Sequence, residues 1–352
     1  MSTNLHTYQA ILNKNIRMAK ALYYTEQFDK FRNDIKKTWS TIKGILHKSN
    51  GKKEFPKFFK HNDTKIFDDQ AVANHFNYFF ANIGPKLSQS IEYDGNKNVD
   101  TYLKTKIMST FNFETVTGDD IMKITKEIAP KTSCGHDNLS TKLLKQVAPY
   151  ISLTLALILN QSLNTGIFPD KLKIAKIVPL FKKGDEHVFD NYRPISLLPS
   201  ISKIFEKVVC KQLYQYFVDN KLFYDSQYGF RKGHSTEMAS LEFTDRVLHD
   251  LDKDKVPISV FLDLSKAFDT LNHSILLHKL EHYGIKGIAL QWFQSYLYNR
   301  KQFVDYNGTF STMSSISTGV PQGSVLGPLL FIIYINDIKD ACDKFHAIIF
   351  AD

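Results

Sequence analysis

Cysteine is scarce. Cys134, Cys210 and Cys342 stand far apart in a chain of 352 residues. An odd, sparse set without paired spacing excludes a disulfide framework and a structural zinc site, and it fits inert thiols in a reducing compartment. The 12 histidines show no metal-ligand spacing either. The N-terminus is polar and lacks the apolar core of a signal peptide. Long apolar runs are missing too: Ile151–Leu159, the most apolar helical run, is too short to span a bilayer. There is no internal repeat and no low-complexity tract. These absences lead to the expectation of a soluble, intracellular protein with no membrane partner.

What is present is an ordinary globular composition, 43% hydrophobic and 23% charged, long enough for a sizeable core and two or more structural units. The formal charge of +9 is unevenly placed. Residues 1–60 hold 13 Lys+Arg against 4 Asp+Glu, and the remainder of the chain balances. A basic arm of this kind favours phosphate contacts and salt-sensitive nucleic-acid binding. A solvated helical face explains it equally well.

Periodicity predicts a helix over residues 6–48, with Phe28, Phe31, Ile35, Trp39, Ile42 and Ile45 recurring at spacings of three and four. Asp68–Ile83 reads as a second helix and Ser88–Val99 as a loop. From about Asp119 the texture changes to closely alternating helices and short strands. Helices are expected at Asp119–Ile128, Ser140–Leu163, Ser200–Phe217, Thr270–Tyr283, Ala289–Tyr298 and Pro328–Ile338. Strands are expected at Ala175–Phe181 and Pro257–Asp263, and one begins at Phe345–Phe350. Gln302–Tyr306 and Thr309–Met313 flank Asn307-Gly308, a strong hairpin signal.

Three constellations carry chemistry. In Ile258-Ser-Val-Phe-Leu-Asp263-Leu-Ser-Lys-Ala-Phe268-Asp269 a β-branched and aromatic strand runs into an aspartate. Its carboxylate beside the Leu264 carbonyl offers oxygen donors suited to Mg²⁺. An aspartate in this place more often serves as a cap or turn residue. In Ser317-Thr-Gly319-Val-Pro321-Gln322-Gly323-Ser324-Val-Leu-Gly327-Pro328, glycines allow close backbone approach and Gln322 offers uncharged hydrogen bonds. The helix N-terminus that follows favours phosphate. A plain turn that starts a helix is the equal alternative. Ile348-Ile349-Phe350-Ala351-Asp352 is an apolar strand ending on an aspartate. Other polar residues have blander readings: Asp269 as a helix cap, with a part in the site as the lesser alternative, His273 as polar packing or solvent-facing, Asn336 and Asp337 as a helix terminus.

An Asp-x-x-x-x-aromatic motif, a Gly-x-Pro-Gln-Gly motif and the start of an aromatic-Ala-Asp-Asp motif, in this order, resemble the palm motifs of reverse transcriptases. Pro179-Leu-Phe-Lys-Lys-Gly-Asp185, Asn191-Tyr-Arg-Pro-Ile-Ser-Leu-Leu198, Gln227-Tyr-Gly-Phe-Arg-Lys-Gly-His-Ser-Thr236, Trp292–Val304 and Leu330–Asp337 narrow this to the polymerases of non-LTR, LINE-type retrotransposons of jockey-like and CR1-like flavour. The resemblance covers roughly residues 120–352.

The resemblance implies an α+β fold: right-hand polymerase fingers and a partial palm (an antiparallel sheet with packed helices) over 119–352, after a helical, basic linker over 1–118. It implies RNA-directed DNA polymerisation from an RNA template, a DNA primer and deoxynucleoside triphosphates, in the nucleus or cytoplasm. Asp263 and Asp352, with the Leu264 carbonyl, would hold two Mg²⁺ ions (Mn²⁺ being possible) and serve catalysis. Lys182, Lys183 and Arg193 would clamp the triphosphate. Phe268 would lie under the sugar and exclude a 2′-hydroxyl. Gln322 and Gly323 would line the nucleotide. Arg231 would support the template or finger loop. The last motif is cut after its first aspartate, so little activity is expected of this chain by itself. An RNA-dependent RNA polymerase, opposed by Phe268 and the Pro-Gln-Gly segment, and a non-catalytic nucleic-acid-binding fragment are the alternatives. Oligomeric state is left open.

Overall fold

The structure, a computed structural model, describes residues 2–32, 34–45, 55–61, 64–89, 99–104, 107–264, 266–341 and 345–350. Contacts divide the chain into two units, Met1–Pro56 and Lys57–Asp352. Residues 57–118 thus belong to the larger unit, and the division does not follow the change of texture at 118/119.

The first unit contains α1 (Ser2–Lys30) and α2 (Ile35–Ile45). The sequence predicted one helix here. The helix breaks because Asp34 starts a new one, its carboxylate accepting from Lys37 N at 3.1 Å.

In the larger unit, β1 (Phe59–His61) and β2 (Thr64–Ile66) form a small antiparallel ribbon. Next come α3 (Asp69–Gln89), α4 (Gly118–Glu127) and α5 (Thr141–Thr165), then β3 (Ile174–Phe181) and β4 (Tyr192–Leu197). Four helices follow, α6 (Ser200–Asp219), α7 (Thr236–Leu251), α8 (His273–His282) and α9 (Gly287–Leu297). The chain continues through β5 (Arg300–Tyr306), β6 (Thr309–Phe310), β7 (Ser314–Ile316) and α10 (Gly327–Tyr334).

The five-stranded sheet runs β4-β3-β5-β6, with β7 also on β5. It is mixed rather than antiparallel, because β3 and β5 pair in parallel, Ala175 opposite Gln302 and Ile177 opposite Val304. Period-2 alternation puts Ala175, Ile177, Pro179, Tyr192, Pro194, Ser196, Gln302, Val304 and Tyr306 on one face. The apolar stripe of α3 is set against β5. Phe59, Phe76, Phe189 and Tyr192 make an aromatic cluster there, with ring centroids 4.7–5.1 Å apart in the closest pairs. The β5–β6 turn follows its sequence signal: Asn307 and Gly308 both take positive φ, 52° and 84°.

A second core lies among the helices. Trp292, Phe293 and Tyr296 of α9 are fully buried with Phe168, Phe205 and Phe217. Trp292 Nε1 donates to Ser162 Oγ at 3.0 Å, so the one polar atom of that ring is satisfied. Helix α4 starts with a reciprocal cap: Asp120 N donates to Thr117 Oγ1, and Thr117 N to Asp120 Oδ2. Helix α5 keeps close to its expected span, but the reading that its apolar run is too short for a bilayer does not hold. Its 25 residues are long and apolar enough by length and composition to cross a membrane. One stripe of it (Leu144, Ala148, Leu155, Leu159, Leu163) packs into the core, while Tyr150, Leu153 and Leu157 are exposed.

One predicted strand is not formed. Residues 255–264 have no regular structure, and Ile258, Val260, Phe261 and Leu262 are each at least 76% exposed. A strand needs a hydrogen-bonded neighbour, and no described residue supplies one. Within the expected strand 345–350, Ile349 bridges Gln227 instead, with Tyr228 N donating to Ile349 O and Ile349 N to Ser226 O.

Candidate active site

Two loops distant in sequence are laced together. Gly319 N donates to Leu271 O at 2.7 Å, and Val320 N to Phe268 O at 2.9 Å. Thr318 Oγ1 donates to Asp269 O at 3.2 Å. His273 Nε2 donates to Gly319 O at 2.7 Å. That bond fixes the tautomer of a fully buried ring, and burial pushes its pKa down. Gly319 is needed for this approach. Its φ is +78°, and a Cβ there would lie 2.7 Å from Phe268 O.

Gln322 is held from two sides. Its main-chain O accepts from Ser196 N of β4 at 2.9 Å. Its side-chain Nε2 donates to Asp269 Oδ1 and Oδ2 at 2.9 and 2.7 Å. Burial pushes the Asp269 carboxyl up, and the Gln322 bond and Lys266 pull it back. Asp269 does not cap the following helix. Asn272 does, accepting from Ser274 N and Ile275 N. Gly323, φ +121°, brings the backbone to Ser196, whose O would be 2.8 Å from an added Cβ. Asp269, Ser196, Gln302, Arg300 and Gln322 line a cleft of about 50 Å³.

Behind this loop lies a residue that the sequence reading missed. Glu206 of α6 is wholly buried. It accepts from Val325 N at 2.6 Å, Leu326 N at 3.3 Å and Ser202 Oγ at 2.9 Å. Burial pushes its pKa up, and Arg300 nearby draws it back. The backbone donors just ahead of α10 are therefore taken by a protein carboxylate, and Gly327 N is taken by Ser324 Oγ. The expected attraction of this helix start for phosphate is not realised. The available signal was Ser202 and Glu206, four apart, polar within the apolar stripe of α6.

The predicted metal ligands are not brought together among the described residues. Asp263 is exposed and Leu264 is 52% exposed, both in the segment without regular structure. Asp352 lies outside the described residues. No group of three His, Cys, Asp or Glu side chains able to hold a metal occurs among the described residues. The Asp263 carboxylate carries no hydrogen bond or ion pair among them, and it and the Leu264 carbonyl are hard oxygen donors of the kind that suits Mg²⁺.

Lys182 and Lys183 sit exposed in the β3–β4 turn, and Arg193 is exposed on β4 opposite Leu180. Strand alternation puts Arg193 on the sheet face away from Pro194 and Ser196, and hence away from the cleft. None of the three side chains has a hydrogen bond or ion pair among the described residues. Phe268 is half-buried, stacked on Phe331 at 4.9 Å and edge-on to Phe230 at 5.8 Å. Arg231 holds its own loop: Nη1 donates to Tyr224 O at 2.9 Å and the guanidinium lies 5.2 Å from the Phe223 ring centroid.

Asn336 and Asp337 are more than a helix end. Asn336 Nδ2 donates to Leu222 O and Tyr283 Oη, while its Oδ1 accepts from Tyr224 N. Asp337 forms a buried ion pair with Lys279. Cys134 and Cys210 are free thiols, and burial pushes Cys210 up to about 11; Cys342 lies outside the described residues.

Residues 181–352 match the family described as reverse transcriptase (RNA-dependent DNA polymerase). The chain is 33% identical over 243 residues to a probable RNA-directed DNA polymerase from transposon BS of Drosophila melanogaster, covering 67% of this chain and 26% of that protein. It is 30% identical over 243 residues to the RNA-directed DNA polymerase from mobile element jockey of the same species, covering 69% and 26%. The corresponding protein of transposon X-element is 34% identical over 205 residues, covering 58% and 22%. The chain spans about a quarter of the length of these relatives. With its Gly-x-Pro-Gln-Gly loop laced to the Phe268-Asp269 loop, the chain carries a reverse transcriptase domain of the non-LTR, LINE-type retrotransposon family.

Proposed function

We propose that this domain is the nucleotide-selecting core of an RNA-directed DNA polymerase that extends a DNA primer on an RNA template with deoxynucleoside triphosphates. The family is generally dependent on a divalent metal. The observation that carries the reading is the lacing of residues 268–273 to residues 318–322 around Gln322, next to β4. It gathers residues from three separated motifs at one cleft.

In this reading the β3–β4 hairpin belongs to the fingers and the laced loops to the palm. Asp263, the Leu264 carbonyl and Asp352 would hold two Mg²⁺ ions. Bound there, the metal supplies charge neutralisation for the displacement of pyrophosphate. Lys182 and Lys183 offer uncommitted cations for the triphosphate, whereas Arg193, expected to join them, faces away from the cleft. Phe268, fixed by Phe331 and Phe230, stands as the wall against a 2′-hydroxyl. Arg231 braces the loop that approaches the template. The site of action would be the nucleus or cytoplasm.

The test is primer extension on an RNA template with dNTPs and Mg²⁺, using a polymerase frame of the length of the relatives. Extension should occur there and vanish in Asp263→Ala. Extension that survives Asp263→Ala would sink the proposal. One observation favours a second reading for the 352-residue chain, a nucleic-acid-binding fragment without catalysis: the Asp263 segment has no pairing partner among the described residues. RNA binding that persists in Asp263→Ala and falls steeply with salt, with no extension by the longer frame, would support that reading.

A further inference from the structure

Asp269 has no part in the metal site or the phosphate contacts, yet it is the best-anchored carboxylate near the cleft. Its N donates to Lys266 O at 2.9 Å, and its O accepts from Thr318 Oγ1. Both carboxylate oxygens point at one atom, Gln322 Nε2. The main chain of Gln322 is pinned from the opposite side by Ser196 N. The principal freedom left to Gln322 near its tip is rotation of the amide. One orientation turns Nε2 to Asp269, and the flipped one turns Oε1 to it.

An ionised carboxylate only accepts hydrogen bonds. It therefore stabilises the first orientation and repels the second. One amide N–H is directed at the Asp269 carboxylate, and Oε1, which has no partner among the described residues, is left as an acceptor on the cleft side. Lys266 on the same loop lowers the cost of holding the carboxylate charged. Arg300 from β5 lines the same cleft.

We propose that Asp269 is a positioning residue: it fixes the Gln322 amide in the orientation that presents the Oε1 acceptor to the incoming nucleotide. The ligand group selected is then a hydroxyl or amino donor on the nucleotide. This rests on the reading that a nucleotide binds beside the cleft, whose roughly 50 Å³ admits one polar group of it.

The experiment is a double-mutant cycle in single-nucleotide primer extension, with the polymerase in a frame of the length of its relatives. Asp269→Asn, nearly isosteric, can face either end of the Gln322 amide and should raise KM for dNTP several-fold with kcat changed less. Asp269→Ala should raise KM by about tenfold, the size of one hydrogen bond to a charged group. In a Gln322→Ala background, Asp269→Ala should add nothing further. Multiplicative losses in the double variant would mean a purely structural role and overturn the proposal. So would an unchanged KM in Asp269→Asn with an unchanged urea midpoint. If Asp269→Ala fails to fold, Asp269→Asn with and without Gln322→Ala completes the cycle. If the unsubstituted polymerase does not extend a primer, the functional reading falls and this inference with it. If it extends normally and only the cycle fails, the inference alone falls.

Discussion

Replacing Glu206 tests the idea that the loop around Gln322 is held from behind. In Glu206→Ala, Val325 N and Leu326 N lose their acceptor inside the protein, and Ser202 Oγ loses its own. Each orphaned buried donor costs about 1–3 kcal/mol. Arg300, 2% exposed, also loses the carboxylate that offsets its charge. The total loss is expected to be about 3–5 kcal/mol, in the range for breaking a buried charged pair. Glu206→Gln behaves differently. Its Oε1 can still accept from the two backbone N–H groups and its Nε2 can donate to Ser202 Oγ, so the loss should be less than half as large. Urea denaturation of both variants beside the parent chain provides the comparison.

The pH dependence is a second readout of the same residue. Burial holds the folded-state pKa of Glu206 above its unfolded value. The folded chain therefore binds more protons than the unfolded one from the ordinary glutamate range up to the raised value. This site's contribution to stability falls as pH rises through that window, and it is fully present below it. Glu206→Gln should lack that component of the slope. Equal losses in the Ala and Gln variants, or a parent slope that Gln leaves intact, would refute the account.

Two further substitutions probe the same region. Gly319→Ala puts a Cβ 2.7 Å from one backbone oxygen at a positive φ, and should cost roughly 1–3 kcal/mol in urea denaturation; a neutral result would mean the two loops separate easily. Asp337→Ala strands Lys279 in the core and should cost about 3–5 kcal/mol, whereas the double change Lys279→Met with Asp337→Leu should recover most of it; a double variant as unstable as the single one would contradict that reasoning.

Much of the fold was legible where local pattern and burial agree. The apolar stripe of α6, the Asn307-Gly308 hairpin and the helix α3 follow spacings visible in the chain. Disagreements have physical causes. Asp34 restarts the first helix because a capping side chain outweighs an unbroken apolar period. Pro257–Asp263 has strand composition, but composition supplies no pairing partner. The parallel match of β3 with β5 needs more than a hundred intervening residues to fold back, and no local signal encodes that. The cap expected at Asp269 belongs to Asn272.

The sequence by itself determined the family, since the order Asp263, Gln322 and the following apolar segment, with the motifs between them, is a linear property. It also marked Gln322 and Gly323 as special through the glycines around them. Only the tertiary structure decided what these residues lean on. Asp269 meets Gln322 across 53 positions and Glu206 meets Val325 across 119. Hydrogen bonds at such separations depend on how helices and sheet pack, because a carboxylate finds its donor by direction and distance, which are set when the chain closes on itself.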